Sequence, residues 1–321
     1  MSKTVIILGA NGRFGRAASQ AFFSAGWTIR TFTRNLPDSA EHPDFARYAG
    51  NAFDADALTH ATRDCDVIVN ALNPPYQNWT RDLPRLTRAV IATAKATGST
   101  VMVPGNVYNY GADMPPVLTE DTPHRPTTRK GQLREAMEES YAIAADEGVQ
   151  TIILRGGDFI ERTKTGNWFD TYVTAKAAQG KITYPGPLDR VHAWAYLPDM
   201  AGAMAALADK RTELGPFAAF GFEGINLTGA ELVAAIERAY GHEMKVSNMP
   251  WSMMRLLGWF MPSIREVMEM RYLWQVPHAI SGQSLSEILP EFRATPLEIV
   301  LQDAFGLAEQ SPSSEYDLVS V

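Results

Sequence analysis

The sequence predicts an α/β protein: a doubly wound parallel sheet with a smaller, mainly helical second part. Three observations carry that prediction. Short apolar runs such as Val5-Ile6-Ile7-Leu8, Val67-Ile68-Val69 and Ile152-Ile153-Leu154 lack polar alternation and read as strands buried on both faces. Stretches of helical length separate these runs, which is the alternation that builds a parallel sheet. The chain has 321 residues, too many for one minimal domain and enough for one large domain or two intimate ones.

The elements follow in order. Thr4 to Leu8 is a β-branched strand, followed by the turn Gly9-Ala10-Asn11-Gly12-Arg13-Phe14-Gly15. An alanine-rich helix runs to Ala25 and Gly26 closes it; Thr28 to Thr33 is a second strand. Strand, glycine turn, helix and strand form the context of a dinucleotide-binding Rossmann unit. Gly9 permits the tight turn, Gly12 lets backbone approach a pyrophosphate, and Gly15 lets the helix pack on the strand. The helix N-terminus then offers its free N–H groups to phosphate. Asn11, Arg13 and Phe14 share that turn. An NAD site places Asp or Glu at the end of the second strand. Here the chain reads Thr33-Arg34-Asn35, with no acid before Asp38. A guanidinium at this point suits the 2′-phosphate of NADP(H), so Arg34 is expected to bind it and Arg13 to assist. The alternative is that both are solvated arginines.

Beyond this unit comes Gly50-Asn51-Ala52-Phe53-Asp54, and Asp66 to Asn73 reads as a buried strand stopped by Pro74-Pro75. Thr100 to Pro104 is the next strand and leads into Gly105-Asn106-Val107-Tyr108-Asn109-Tyr110-Gly111; Val149 to Ile160 holds a further strand and its loop. The spacing Gly-x-x-Gly-x-x-Gly and these segments resemble the extended and atypical branches of the short-chain dehydrogenase/reductase superfamily, of the NAD-dependent epimerase/dehydratase type. The resemblance implies that Asn51, in place of the usual Asp, and Ala52 contact adenine. It implies that Ala71, Leu72, Asn73 and Gly105 flank the cofactor, and that Gly157, Asp158 and Phe159 wall the nicotinamide. It further implies that Asn106 borders the substrate and that Trp168 and Tyr172, on a helix, lie over the active site. His192 faces the pocket or merely orders its loop, and Asp199 caps a helix in a segment resembling the family's His-x-x-x-[Tyr/Val]-x-Asp-x-Ala.

The family's catalytic pattern is not preserved. Its Ser falls within Pro104-Gly105-Asn106, which has no hydroxyl, and the residue four before Lys130 is Pro126 rather than Tyr. The stretch Lys130-Gly131-Gln132-Leu133-Arg134-Glu135-Ala136-Met137-Glu138 is instead similar to the lysine helix of isoflavone-reductase-like members, in which Lys acts without Tyr. Positions 130, 134, 137, 141 and 144 share a helix face, so Lys130 is expected to point inward. It either holds the nicotinamide ribose or transfers a proton directly. Tyr108 is the candidate substitute hydroxyl, the alternative being a half-buried aromatic after the strand.

Residues 1–158, with a return segment at about 187–227, are expected to form the nucleotide domain. Residues 159–186 and 228–321 are expected to cover the substrate. Met244 to Trp274 holds seven of the 13 Met and three of the seven Trp. It reads as core or homodimer contact, or as a lid over an apolar substrate. A membrane-surface helix fits less well, because Glu266 and Glu269 interrupt Arg255, Arg265 and Arg271. After about Glu309 the tail is polar and expected to be mobile.

Composition bounds the function. The formal net charge is −7, which argues against nucleic acid as the main partner. Yet 21 of the 29 basic residues are Arg, the better side chain for bidentate phosphate contact. Cys65 is the only cysteine, so no internal disulfide forms, and a reducing cytoplasm fits. The six His show no zinc spacing, no Gly-x-Ser-x-Gly elbow appears, and no apolar stretch reaches membrane-spanning length. The expected activity is NADP-dependent reduction of a small, partly apolar or aromatic carbonyl compound. The alternatives are a nucleotide-sugar epimerase or dehydratase, and a non-catalytic NADP-binding sensor.

Overall fold

In the computed structural model, residues 3–36 and 42–307 are described. Asp38 and the tail beyond Glu309 lie outside them. Seven parallel strands form the central sheet, in the order Phe217–Gly221, Thr151–Arg155, Thr100–Gly105, Val67–Asn70, Thr4–Leu8, Thr28–Thr33 and Ala46–Ala49. The order reverses beside Thr4–Leu8, so a crevice opens there at the carboxyl ends of the strands, where doubly wound sheets bind their ligands. Helices cover both faces. On one, the stripe Phe14, Ala18 and Phe22 of helix Arg13–Ser24 packs with Met200, Met204 and Leu207 of helix Leu197–Lys210. On the other, Leu83, Leu86 and Val90 of helix Trp79–Thr97 meet Met137 and Tyr141 of helix Arg129–Asp146.

The second part has its own core. The strands Ile225–Thr228, Val191–Tyr196 and Asp158–Ile160 form a three-stranded sheet. Trp194 and Ile160 of that sheet pack with Phe169, Leu232, Ile236, Val300 and Leu301. Helix Gly229–Tyr240 starts at a capping box, Thr228 with Glu231, that satisfies two orphan donors reciprocally.

Three local expectations change. The strand predicted over Asp66–Asn73 is limited to Val67–Asn70. Ala71 N still donates to Leu8 O at 3.0 Å, but Leu72 N turns to Asn70 Oδ1 at 3.3 Å, and two prolines follow. Trp168–Tyr172 is not a regular helix but enters the single π-helical turn Phe169–Val173. Asp199 does not cap its helix: Tyr196 holds the cap position without a side-chain bond. Asp199 instead accepts from Thr295 N at 2.6 Å and Thr295 Oγ1 at 2.8 Å, tying the approach to helix Leu297–Phe305 onto the nucleotide half.

One buried ion pair fixes the helix Arg129–Asp146 to the sheet. Arg155, at the end of its strand, donates from Nη1 to Glu138 Oε1 at 3.1 Å and from Nη2 to Oε2 at 2.7 Å, and Nη1 also reaches Asn106 O at 2.5 Å. Burial works against the Glu138 carboxylate, but the Arg155 charge and hydrogen bonds outweigh it, and the pKa is held below its usual 4.5. Its stabilising effect is therefore complete above pH 4.5 and is lost as pH falls through the lower folded value. Glu138→Ala leaves Arg155 buried and unpaired and is expected to cost about 3–5 kcal/mol in a denaturation series, a loss below about 1 kcal/mol showing the pair to be dispensable.

Candidate functional site

The crevice begins at the glycine turn. Gly9 has φ +79°, and a Cβ there would sit 2.9 Å from Ala71 O. A Cβ at Gly15 would sit 2.3 Å from Gly9 O, and one at Gly12 3.1 Å from the same oxygen. At Gly9 and Gly15 the backbones touch, so a larger residue there forces the chain apart, while Gly12 is merely tight. Gly12 caps helix Arg13–Ser24 without a side-chain bond, and the first turn carries no acid. Its N–H groups and positive dipole end are left for an anion. This cradle fits the pyrophosphate of a dinucleotide.

The other expected cofactor residues surround it. Asn11 O accepts Arg16 Nη1 at 2.6 Å, which braces the turn. Arg13 Nη2 donates to Thr165 O at 3.0 Å, so its guanidinium also holds the loop across the crevice. Phe14 is buried with its ring 6.4 Å from Phe159. Arg34 is exposed at the end of the second strand. Asn51 Oδ1 accepts Phe53 N at 3.1 Å, which leaves the amide NH2 for a base, beside buried Ala52. Asn70 is fixed from behind by Nδ2 donating to Tyr141 Oη at 2.9 Å. Ala71, Leu72 and exposed Asn73 continue past the strand end. Gly105 ends the next strand, where a Cβ would meet Ile153 Cγ2 at 2.9 Å.

Next to this edge lies a pair of tyrosines, Tyr108 buried and Tyr76 half-buried. Asn106 Oδ1 accepts Tyr108 N at 3.1 Å, and the Tyr108 and Tyr76 hydroxyls are 3.2 Å apart. Tyr76 packs edge-on to Trp79 at 4.9 Å. Burial pushes the Tyr108 pKa well above its usual value, Tyr76 and Asp158 add to the effect, and Arg134 opposes it. Burial raises Tyr76 as well, against its bond to Tyr108. Both phenols are held protonated. The Arg134 guanidinium lies over Trp79 at 4.9 Å, and its buried Nε has no hydrogen-bond partner among the described residues. Neither Tyr76 nor the placement of the Arg134 guanidinium over Trp79 is legible in the sequence. The signals were Tyr76 directly after Pro74-Pro75 and Arg134 one turn after Lys130.

Lys130 is 0% exposed. Gly131 allows this close start of the helix, since a Cβ there would lie 2.4 Å from Tyr108 O. Lys130 Nζ donates to the Glu266 carboxylate, to Glu269 Oε2 at 2.6 Å and to Glu266 O at 3.2 Å, and sits 5.0 Å above the Tyr76 ring. Arg129 joins through bonds of 2.8 and 2.9 Å to Glu266. Burial disfavours ionised Glu266, but Lys130 and Arg129 together hold its pKa below the usual value. The expected inward face is met, but the partners were missed. They sit one turn apart on helix Pro262–Glu269, over 130 residues away.

The remaining wall comes from the second part. A Cβ at Gly157 would sit 2.1 Å from Ala193 O, so the loop is pressed onto strand Val191–Tyr196. His192 Nε2 lies 2.8 Å from Asp158 Oδ2, and its ring stacks on Trp274 at 4.0 Å and 6°. His278 meets it edge-on at 4.6 Å; burial first, and the neighbouring imidazole second, lower the His278 pKa to about 3, so His278 stays neutral. Trp168 packs on Tyr172 at 4.8 Å and on Trp274 at 5.2 Å. The structure thus joins His192 to Asp158 and, through Trp274, to the Trp168–Tyr172 aromatic group. No cluster of three or more His, Cys, Asp or Glu among the described residues can hold a metal, and no described helix is long and apolar enough to cross a membrane.

Residues 9–183 match the NAD(P)H-binding family. No curated protein matches the chain by sequence. Solved structures share its fold. A protein of Burkholderia cenocepacia J2315 named as a candidate epimerase superposes with a TM-score of 0.77 at 19% identity, covering 97% of this chain and 99% of its own. MoeE5 in complex with UDP-glucose and NAD gives 0.73 at 16% identity, with 96% and 99% covered. The UDP-N-acetylglucosamine 4-epimerase of Bacillus cereus gives 0.75 at 14% identity, with 95% and 99% covered. At such identities the likeness is one of fold.

Replacing both Glu266 and Glu269 by Ala strands Lys130 as a buried cation and is expected to cost about 3–5 kcal/mol. Thermal unfolding and limited proteolysis around residues 251–269 measure it. Unchanged melting and protection would mean that the carboxylates do not hold this helix.

Proposed function

The chain belongs to the NAD(P)H-binding family, and from that premise we propose an NADP(H)-dependent reductase of a small, partly apolar or aromatic carbonyl compound. The observation that carries this reading is the Tyr76–Tyr108 pair, Tyr108 buried and Tyr76 half-buried, with hydroxyls 3.2 Å apart. A neutral phenol carries the proton that a carbonyl oxygen takes up, and the second hydroxyl, 3.2 Å away, is placed to hydrogen-bond the phenolate that remains. Reduction of a carbonyl needs an acid at the oxygen, whereas epimerisation begins with a base.

The roles divide as follows. The Gly9–Gly15 turn and the helix behind it bind the pyrophosphate, and Arg34 binds the 2′-phosphate, assisted by Arg13. When bound, the cofactor supplies the hydride. Tyr108 gives its proton to the carbonyl oxygen, Tyr76 donates a hydrogen bond to the phenolate left behind, and the nearby Arg134 cation stabilises that charge. Asn106 orients Tyr108 through its backbone N–H. Lys130, already engaged with two carboxylates, supports positioning of Tyr76 rather than proton transfer. Trp168, Tyr172 and the His192–Asp158 pair line the substrate side, where aromatic faces suit a planar apolar body. The saturated Lys130 also favours a second reading, a non-catalytic NADP-binding sensor.

Two measurements test this. Fluorescence titration is expected to show NADPH binding tighter than NADH by about tenfold or more, the worth of a charged hydrogen bond. Arg34→Ala should erase the difference, and equal binding by the native chain would remove Arg34 from the site. In a panel of aldehydes, ketones and enones, Tyr108→Phe is expected to lower kcat by about a hundredfold with the NADPH Kd unchanged. No turnover of any member by an NADPH-loaded protein would favour the sensor.

A further inference from the structure

Helix Trp251–Leu257 and helix Pro262–Glu269 are joined by a short tip. Each has a single buried residue, Met254 in the first and Glu266 in the second. The side facing away from the molecule is apolar: Met253, Leu256, Leu257 and Met261 are exposed, and the adjacent Trp259 and Phe260 are exposed by 81% and 79%. A soluble surface rarely leaves so many large apolar side chains contiguous without a partner.

Charge narrows the partner. From Trp251 to Arg265 the chain contains Arg255 and Arg265 and no acid, inside a protein of net charge −7. Both arginines are exposed, and neither is paired with a carboxylate among the described residues. The two acids that interrupt these arginines in the sequence, Glu266 and Glu269, are engaged by Lys130 and Arg129. What remains outward is aromatic, aliphatic and positive. That combination matches an anionic bilayer surface, where Trp and Phe enter the headgroup boundary and Arg pairs with phosphate. A second copy of the chain is the other candidate occupant, but a stable dimer face uses about 20–30 residues per partner, and this projecting tip offers six.

We propose that the Trp251–Arg265 tip docks the protein peripherally on an anionic lipid surface. The contact is independent of the reductase reading, because its readout needs no turnover. The full chain is mixed with sedimentable vesicles of phosphatidylcholine alone or with phosphatidylglycerol. Binding to the anionic vesicles, weakened by salt, is expected. Trp259→Asp with Phe260→Asp should weaken it at least about tenfold, and Arg255→Gln or Arg265→Gln by about fivefold each. Retained NADPH binding shows that each variant is folded. Failure of the native chain to bind anionic vesicles overturns the proposal, as does equal binding by the Trp259/Phe260 variant. Light scattering separates the other occupant: a native dimer that the same variant splits, with no vesicle binding, assigns the tip to a second copy.

Discussion

Contact between backbones at the carboxyl edge of the sheet is the constraint on which the rest depends. Gly9, Gly15 and Gly157 each lie where an added Cβ would be within 3 Å of a carbonyl oxygen. Because those chains meet without side chains between them, the first helix begins directly over the crevice. The loop at Gly157 likewise lies flat on the returning strand Val191–Tyr196. Pre-formed N–H groups then serve an anion without reorganisation, which is the saving that a fixed dinucleotide cradle offers.

A second layer of order is electrostatic and acts through one helix. Arg129–Asp146 is pinned near its start by Lys130 between two glutamates and, two turns later, by Glu138 against Arg155. Neither pair is evidently a source of net stability, since desolvation offsets most of the attraction. Their effect is registry. They fix the helix along its axis, so that Arg134, midway between them, stands over Trp79 beside the tyrosine pair.

What the sequence disclosed was local. The first strand, the glycine turn, the helix and the second strand follow from neighbouring residues alone, and Thr28–Thr33 is found at the predicted bounds. The inward face of Lys130 followed from helical spacing. Its partners did not, because nothing near position 130 refers to position 266. Asp199 is not the cap that the family-like segment implies, for a related reason: its bonds are to Thr295, 96 residues on. Tyr76 was hidden by Pro74-Pro75, which marked an ending and drew no attention to what followed.

The connectivity of the sheet bears on how the chain is made. Strand Thr151–Arg155 receives its outer neighbour, Phe217–Gly221, only after a further sixty residues. During synthesis, the edge of Thr151–Arg155 stays unpaired until that length has emerged, and an open, apolar parallel edge invites wrong pairing. Non-local closure of this kind also slows folding. The nucleotide half is therefore complete only late in translation, and a shortened chain ending near residue 158 would keep the glycine cradle while leaving its sheet unfinished.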